Sequence, residues 1–309
     1  MNIVFMGTSE FAVPSLTNLL ISSHDIQGVI TQPDRPRGRG NKLGITPIKQ
    51  LALQHGLAIS QPVSIKDSSA IEQVKSWQPD LIVVVSYGQI IPWEILTFPK
   101  FGCVNLHASL LPRYRGAAPI QRALMNGETV SGVTTMFMDE GLDTGDILFQ
   151  LPIRIEDNYD HGMLEKIMAE QGAKLIIDTI EKIQNNCIIR YPQEESEASY
   201  ANRIQPQDER INWCNPALHI HNQIRALSPV PGAWFLINGY KVKVFKSNVV
   251  DNRQDGDVAQ IIEIGSNSFW VKCGQGILEI VEIQKEGKKR MSVRDFLRGN
   301  KLEPGTILA

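Results

Sequence analysis

Two short stretches of this 309-residue chain could act on a substrate, and a third could hold one. Asn105-Leu106-His107 closes an apolar run that begins at Cys103. Residues i and i+2 of a strand project to the same face, so an amide and an imidazole stand side by side. An amide donor beside a histidine can hold a developing oxyanion; a polar strand end facing water is the competing reading. Gly141-Leu142-Asp143-Thr144-Gly145-Asp146 sits between the apolar runs 133–138 and 147–155. Its glycines and aspartates suit a hairpin turn, while Asp143 is also a candidate for acid–base work. Asp139, Glu140, Asp143 and Asp146 follow no liganding register such as an EF-hand, and no metal is expected. The third stretch is Asp34-Arg35-Pro36-Arg37-Gly38-Arg39-Gly40-Asn41-Lys42. Arginines among glycine and proline suit an exposed, mobile, cationic loop. Such a loop is either solvated or a phosphate-backbone contact through Arg35, Arg37, Arg39 and Lys42.

The elements that must position these residues follow from apolar periodicity. Strands are expected at 3–6, 28–31, 57–59, 81–85 and 103–107, then a pair at 133–138 and 147–155 joined by the turn 139–146. Helices are expected after Ser9 as cap, at 46–55, at 67–77 and at about 160–183. Uninterrupted Val/Ile/Leu strands alternating with helices indicate a parallel sheet covered on both faces. That architecture places ligands at the carboxyl ends of its strands, which is where His107 falls. Ser86-Tyr87-Gly88 ends another apolar strand on the same edge. Gly7-Thr8-Ser9 resembles half a dinucleotide loop, but G-x-G-x-x-G is absent, so a nicotinamide cofactor has little support.

A polar stretch at 190–206, with Glu194-Glu195-Ser196-Glu197, reads as a linker between a catalytic domain at 1–189 and a second domain at 207–309. Beyond it, one helix at 216–227 precedes five short β-like runs with an Asn238-Gly239 hairpin turn. Five such strands suggest a small barrel.

Composition fits this picture. The net charge is −2, hydrophobic residues make up 42% and charged ones 21%, which excludes a disordered chain. Residues 1–205 carry 17 basic and 22 acidic side chains; residues 206–309 carry 14 and 11. The later part is therefore mildly basic, a weak pointer to an anionic partner. Cys103, Cys187, Cys214 and Cys273 form no C-x-x-C pair and are expected to be reduced thiols of a cytoplasmic protein. The longest apolar run is strand length, and no export signal or membrane span is expected.

The motifs carry a family resemblance. Asn105-Leu106-His107-Ala108-Ser109-Leu110-Leu111-Pro112-Arg113-Tyr114-Arg115-Gly116 resembles the signature of the 10-formyltetrahydrofolate-dependent formyltransferases. The run 132–145, with Asp139-Glu140-Gly141-Leu142-Asp143-Thr144-Gly145, is similar to that family's second signature, in matching order. Gln32-Pro33-Asp34-Arg35-Pro36, Gly38-Arg39-Gly40, the run 115–122 and Pro231-Gly232-Ala233-Trp234 resemble the branch that formylates methionyl-tRNA. The glycinamide ribonucleotide branch has neither the basic insertion nor a second domain.

The resemblance implies a Rossmann-like α/β domain with a parallel-rich sheet, followed by a small OB-like β-barrel. It implies 10-formyltetrahydrofolate as donor and initiator methionyl-tRNA as acceptor. Asn105, His107 and Asp143 would be the catalytic trio, with Ser109, Leu110, Leu111 and Pro112 against the folate. Ser86, Tyr87 and Gly88 are expected to complete the folate wall. For tRNA, besides the insertion, the candidates are Lys243, Lys288, Lys289 and Arg290, with Lys241, Lys246, Lys285, Arg294 and Arg298 nearby in sequence. A monomer without bound metal is expected. A formyltetrahydrofolate hydrolase, a sugar-amine formyltransferase and a non-catalytic RNA-binding protein are the alternatives.

Overall fold

A computed structural model describes residues 1–37, 42–251 and 256–309. The chain divides into two compact units. The first comprises residues 1–116, 130–154 and 165–201; the second comprises 117–129, 155–164 and 202–309.

In the first unit the strands are β1 (Asn2–Gly7), β2 (Asp25–Ile30), β3 (Arg35–Arg37), β4 (Lys42–Gly44), β5 (Ile59–Ser60), β6 (Leu81–Val85), β7 (Cys103–His107), β8 (Val130–Phe137) and β9 (Ile147–Arg154). Seven of them form one sheet in the order β5-β2-β1-β6-β7-β8-β9. The strands from β5 to β7 run parallel, whereas β8 and β9 are antiparallel. The sheet is thus mixed, with a parallel-rich Rossmann-like part. The departure has a local cause. β8 and β9 are joined by a hairpin turn, which can only link antiparallel strands, and residues 117–129 before β8 belong to the other unit and supply no crossover here. Every residue of β6 and β7 is buried, as strands covered on both faces require.

Helices of this unit are α1 (Val13–Leu20), α2 (Pro47–Gln54), α3 (Ser68–Ser76) and α4 (Trp93–Leu96). α5 (Pro119–Met125) belongs to the second unit, and α6 (His161–Gln184) begins there before continuing in the first. Ser9 does not cap α1 through its side chain. A 3₁₀ turn at Glu10–Ala12 intervenes, and Ser9 Oγ donates instead to Ser86 Oγ at 2.8 Å. Thr46 does cap α2, accepting from Lys49 N–H at 3.0 Å. α3 and α4 cover one face of the sheet through Ala70, Val74, Ile95 and Leu96, packed with Val4, Met6, Ile82 and Val84. On α6, Gly172 admits the Leu106 side chain so closely that a Cβ there would collide with it.

The described residues of the expected loop after β2 include regular structure. Arg35–Arg37 and Lys42–Gly44 pair as a small antiparallel ribbon, since an extended Arg-Pro-Arg segment can still accept and donate along one edge. Arg39 lies outside the described residues.

The second unit contains α7 (Pro206–Glu209), α8 (Ala217–Leu227), β10 (Ala233–Ile237), β11 (Tyr240–Asp251), β12 (Ile261–Ile264), β13 (Phe269–Lys272), β14 (Ile277–Lys285), β15 (Met291–Ser292) and α9 (Val293–Gly299). All pairings in its sheet, ordered β10-β11-β14-β13-β12 with β15 on β14, are antiparallel. Asn238 and Gly239 both take positive φ, +49° and +78°, as the tight turn between β10 and β11 demands. The two edge strands are bridged by the C-terminal tail. Leu236 of β10 exchanges backbone hydrogen bonds with Ala309, while Ile261 of β12 donates to Thr306 and Leu308 donates to Ala259. The tail thereby closes the barrel. Trp213, Ile220, Ile224, Phe235, Phe269 and Ile280 are among its buried core, with Trp213 edge-on to Phe235 at 5.6 Å. Among the described residues no helix is long and apolar enough to cross a membrane, and all four cysteines are free thiols.

Candidate active site

β7 delivers Asn105 and His107 to one face of the sheet and Leu106 to the other, where α6 packs. Asn105 is paired along its backbone with Val84 and Met136, and His107 with Thr134. Both side chains are buried. His107 Nε2 lies 2.9 Å from the Tyr114 carbonyl. A carbonyl only accepts, so that ring nitrogen carries a hydrogen. The other nitrogen, Nδ1, faces Asp143 Oδ2 at 3.6 Å. The imidazole is therefore anchored at one end and presented to a carboxylate at the other.

Asp143 comes from the β8–β9 turn. Its φ is +56°, in the left-handed region that aspartate tolerates better than most residues. Oδ2 accepts from the Gly116 N–H at 2.8 Å. Gly116 has a φ of +116°, and a Cβ there would stand 3.0 Å from the Ala201 carbonyl, so the close approach requires glycine. Asp139, at the start of the turn, is spent locally: its Oδ1 accepts from Gly141 N–H at 3.0 Å and from Thr144 Oγ1 at 2.6 Å. Among the described residues no group of three or more His, Cys, Asp or Glu is placed to hold a metal ion.

The segment after His107 is wired to the sheet. Thr134 Oγ1 donates to the Ser109 carbonyl at 2.6 Å and accepts from Leu111 N–H at 3.2 Å. Gln150 Nε2 donates to the Leu111 carbonyl at 2.7 Å, and Ser109 Oγ to the Arg113 carbonyl at 2.6 Å. Ser109 and Leu111 are buried, Leu110 and Pro112 half-buried. The Leu111–Pro112 peptide is cis.

At the end of β6, Ser86 and Gly88 are exposed, with φ of +49° and +86°. The Tyr87 ring turns into the core beside Ile65 and Ile91. Burial pushes its hydroxyl up to about 12, and that oxygen finds no hydrogen-bond partner among the described residues. Its carbonyl accepts from Thr8 Oγ1 at 3.0 Å and Gln32 Nε2 at 3.2 Å. Gln89 holds the chain at 62–65 in place, accepting from Ile65 N–H at 2.8 Å.

Three contributors were not among the expected site residues. Arg115 is buried at 1% exposure, its Nε donating to Gln193 Oε1 at 3.0 Å and its Nη1 pairing with Glu195 at 2.8 Å. Burial works against its charge, but Glu195 and Tyr200 outweigh that and hold its pKa above the ordinary arginine value. Gln193 Nε2 donates to the carbonyls of Asp143 and Gly145. Ser199 accepts through Oγ from Tyr114 N–H and through its carbonyl from Arg115 N–H. Gln193, Glu195 and Ser199 lie in the polar stretch expected to be linker, whereas Arg115 stands in the 105–116 signature run. Polar side chains outside strands and helices leave no periodic signal, so nothing in the sequence marks the three strap residues.

The basic candidates fall in different settings. Arg35 is exposed on the β3–β4 ribbon, beyond Asp34, which pairs with Lys49 and accepts from Gln61 at 2.8 Å. Arg37 and Lys42 are opposed across that ribbon. In the second unit Lys243 Nζ donates to the Pro231 carbonyl at 2.6 Å. Lys241 lies over Trp234 at 4.1 Å and Lys285 over Tyr240 at 4.1 Å. Arg290 forks onto Glu282 and stacks on Phe245 at 4.5 Å. Lys288 and Lys289 are exposed, with no ion pair among the described residues. Lys246 is also exposed; Arg298 pairs with Asp295 at 3.1 Å, and both border a cavity of about 520 Å³ that Arg294 lines too.

The chain thus joins a parallel-rich sheet, whose β7 carries an amide and an imidazole that faces the Asp143 carboxylate, to an antiparallel barrel, and comparison with known proteins identifies the class. The model of the formyl transferase family matches residues 1–180, and that of the formyl transferase C-terminal domain matches 203–301. The chain is 55% identical to the methionyl-tRNA formyltransferase of Syntrophomonas wolfei over 309 residues, all of this chain and 98% of that protein. A solved sugar 3N-formyl transferase superposes with a TM-score of 0.69 at 24% identity, over 94% of this chain and 99% of that one. The solved methionyl-tRNA formyltransferase of Clostridium thermocellum superposes with a TM-score of 0.56 at 21% identity, over 81% and 94%. These two show the shared fold. The chain belongs to the formyl transferase family, within its methionyl-tRNA formyltransferase branch.

Proposed function

We infer that the protein transfers a formyl group from 10-formyltetrahydrofolate to the α-amine of methionyl initiator tRNA, as a cytoplasmic monomer. The observation that carries the chemistry is the His107–Asp143 pair at 3.6 Å, beside Asn105 at the carboxyl end of β7. The full-length identity to a methionyl-tRNA formyltransferase supports the acceptor.

The methionyl amine, once neutral, attacks the formyl carbon. Its lone pair forms the new C–N bond, and the C=O pair moves to oxygen. The Asn105 amide and, with both ring nitrogens of His107 protonated, its Nδ1–H donate to that oxyanion; one such donor typically lowers the barrier by about 3–4 kcal/mol. Because Nε2–H is held by Tyr114, Nδ1 is the nitrogen left for this work. Collapse returns the pair to carbonyl and breaks the bond to the folate nitrogen. Asp143 takes the amine's proton and passes it, through water, to the departing nitrogen. The chain of donors and acceptors is complete without a covalent enzyme intermediate.

Folate is assigned to the edge formed by Ser86, Gly88 and the 109–112 segment, with Tyr87 supporting from the core. The tRNA is assigned to Arg35, Arg37, Arg39 and Lys42 on the insertion and to Lys243, Lys288 and Lys289 on the barrel; Arg290, the fourth barrel candidate, is already committed to Glu282 and Phe245. Incubation with donor carrying a labelled formyl group, charged initiator tRNA and a nucleotide-linked amino sugar tests the reading. Label on the methionyl amine is expected. Free formate without tRNA formylation would mean a hydrolase, and label moving only to an amino sugar would mean the other transferase branch.

A further inference from the structure

Asp143 does not hold its own geometry. Its left-handed backbone is a conformation that a non-glycine residue keeps only where its surroundings fix it. What fixes it is the polar strap at 191–201. Gln193 Nε2 donates to the Asp143 carbonyl at 2.9 Å and to the Gly145 carbonyl at 2.7 Å, so one amide pins two points of the turn. The other end of the same amide accepts from the buried Arg115. The strap also runs along the segment after His107. Ser199 takes the N–H groups of Tyr114 and Arg115, and Ala201 N–H donates to the Arg115 carbonyl at 2.7 Å. Tyr114 in turn supplies the carbonyl that anchors His107, and Gly116 the N–H that anchors the Asp143 carboxylate. Both members of the His107–Asp143 pair are therefore referenced to one strap, and Gln193 is the member that reaches the Asp143 backbone.

We propose that Gln193 is a positioning residue for formyl transfer, setting the Asp143 carboxylate against His107 through the backbone of the turn. This rests on the catalytic reading of Asp143 given above. A carboxamide suits the place because it donates to two carbonyls while accepting from a guanidinium, which no hydrocarbon or carboxylate of its size can do.

The test is a double-mutant cycle on kcat, measured on the full chain with Gln193→Met, Gln193→Glu, Asp143→Asn and the Gln193→Met/Asp143→Asn pair. Asn at 143 keeps the left-handed turn accessible. Gln193→Met is expected to lower kcat about tenfold, with KM for the formyl donor and for tRNA within twofold of wild type. Gln193→Glu keeps the size and the Arg115 contact but sets a carboxylate against two carbonyls, so it is expected to be no better than Met. In the Asp143→Asn background the Met substitution is expected to cost nothing further, because a residue acting through Asp143 has nothing left to position. An undiminished kcat in Gln193→Met, a wild-type kcat in Gln193→Glu, or an equal loss in both backgrounds would each overturn the proposal. A near wild-type rate in Asp143→Asn alone would overturn the catalytic reading instead, and the two failures are distinguishable.

Discussion

The candidate active-site corner and the basic face of the barrel are built on opposite plans. Around His107 and Asp143 nearly every polar group bonds to backbone: Tyr114 to the imidazole, Gly116 to the carboxylate, Gln193 to the turn, Thr134 and Gln150 to the loop between. On the barrel, Lys288 and Lys289 stand exposed without ion-pair partners among the described residues, and Lys241, Lys285 and Arg290 rest on aromatic rings. The difference follows from the work each region would do. An oxyanion is stabilised only by donors already in place, so a displacement of a fraction of an ångström is costly. A phosphate backbone is met by summed charge, which tolerates motion of each contributor. Sequence change should therefore act sharply in one region and gradually in the other.

The sharpest break is expected at the trio. Asn105→Ala, His107→Ala and Asp143→Asn should each lower kcat by at least about 100-fold with the fold intact by circular dichroism. A correctly folded variant at near wild-type rate would remove that residue from the mechanism. The basic candidates should behave otherwise. Arg39→Leu should lower tRNA formylation by about tenfold with folate binding nearly unchanged. The pair Lys288→Ala/Lys289→Ala should raise the tRNA KM severalfold, leave kcat alone and reduce the salt dependence of tRNA binding by about two charges' worth. Loss of kcat in the lysine pair would contradict the distributed plan.

Legibility differed between the regions for the same reason. The β7 alternation is a period-2 pattern, so the shared face of Asn105 and His107 was readable, as were β6, the Asn238-Gly239 turn and the long helix α6. The approach of Asp143 to His107 was not, because it depends on long-range wiring by residues with no periodicity. Gln193 and Glu195 looked like linker only because their partners are backbone carbonyls and a buried arginine. The barrel was readable as strands but not as a closed object, since closure comes from 306–309, where Leu308 is buried and its neighbours bond to both sheet edges. The antiparallel edge of the first sheet was legible in part: the Gly/Asp turn at 139–146 suits a hairpin and so pairs β8 with β9, whereas the direction of β8 against β7 is set by the connection before it, not by strand composition.

The second unit should also reveal itself through pH, by stability rather than by turnover. Burial pushes His161 down to about 4, against the pull of the neighbouring Asp160. The unfolded chain binds a proton near the ordinary histidine value of about 6.5 and the folded chain does not. Its contribution is therefore whole above about pH 6.5 and declines as pH falls towards 4. His161→Gln should flatten the fall of the melting temperature across that window by a few degrees. An identical slope in the variant would mean that other groups dominate.

The smallest effect is expected at Arg290, and it bears most directly on the contrast. Arg290 is exposed and adjacent to Lys289, so by charge alone it should count equally towards tRNA. Yet its fork already holds Glu282 through two hydrogen bonds of 2.6 Å across β14 and the chain leading into β15, and its guanidinium covers Phe245. Engaging a phosphate fully would require leaving a bidentate partner, and the net charge of the pair is zero. Arg290→Ala should therefore change the tRNA KM by less than about twofold, well below the lysine pair. Its cost should appear in stability, on the order of 1 kcal/mol, the usual worth of a well-formed surface ion pair with a cation–π contact. Replacing the partner separates the two roles. Glu282→Gln frees the fork and unmasks a positive charge, so tRNA binding should tighten slightly while the melting temperature falls. If Arg290→Ala weakens tRNA as much as the lysine pair and leaves stability untouched, the aromatic-seated cations belong to the binding face itself, and the division drawn between exposed and structural charge on the barrel is wrong.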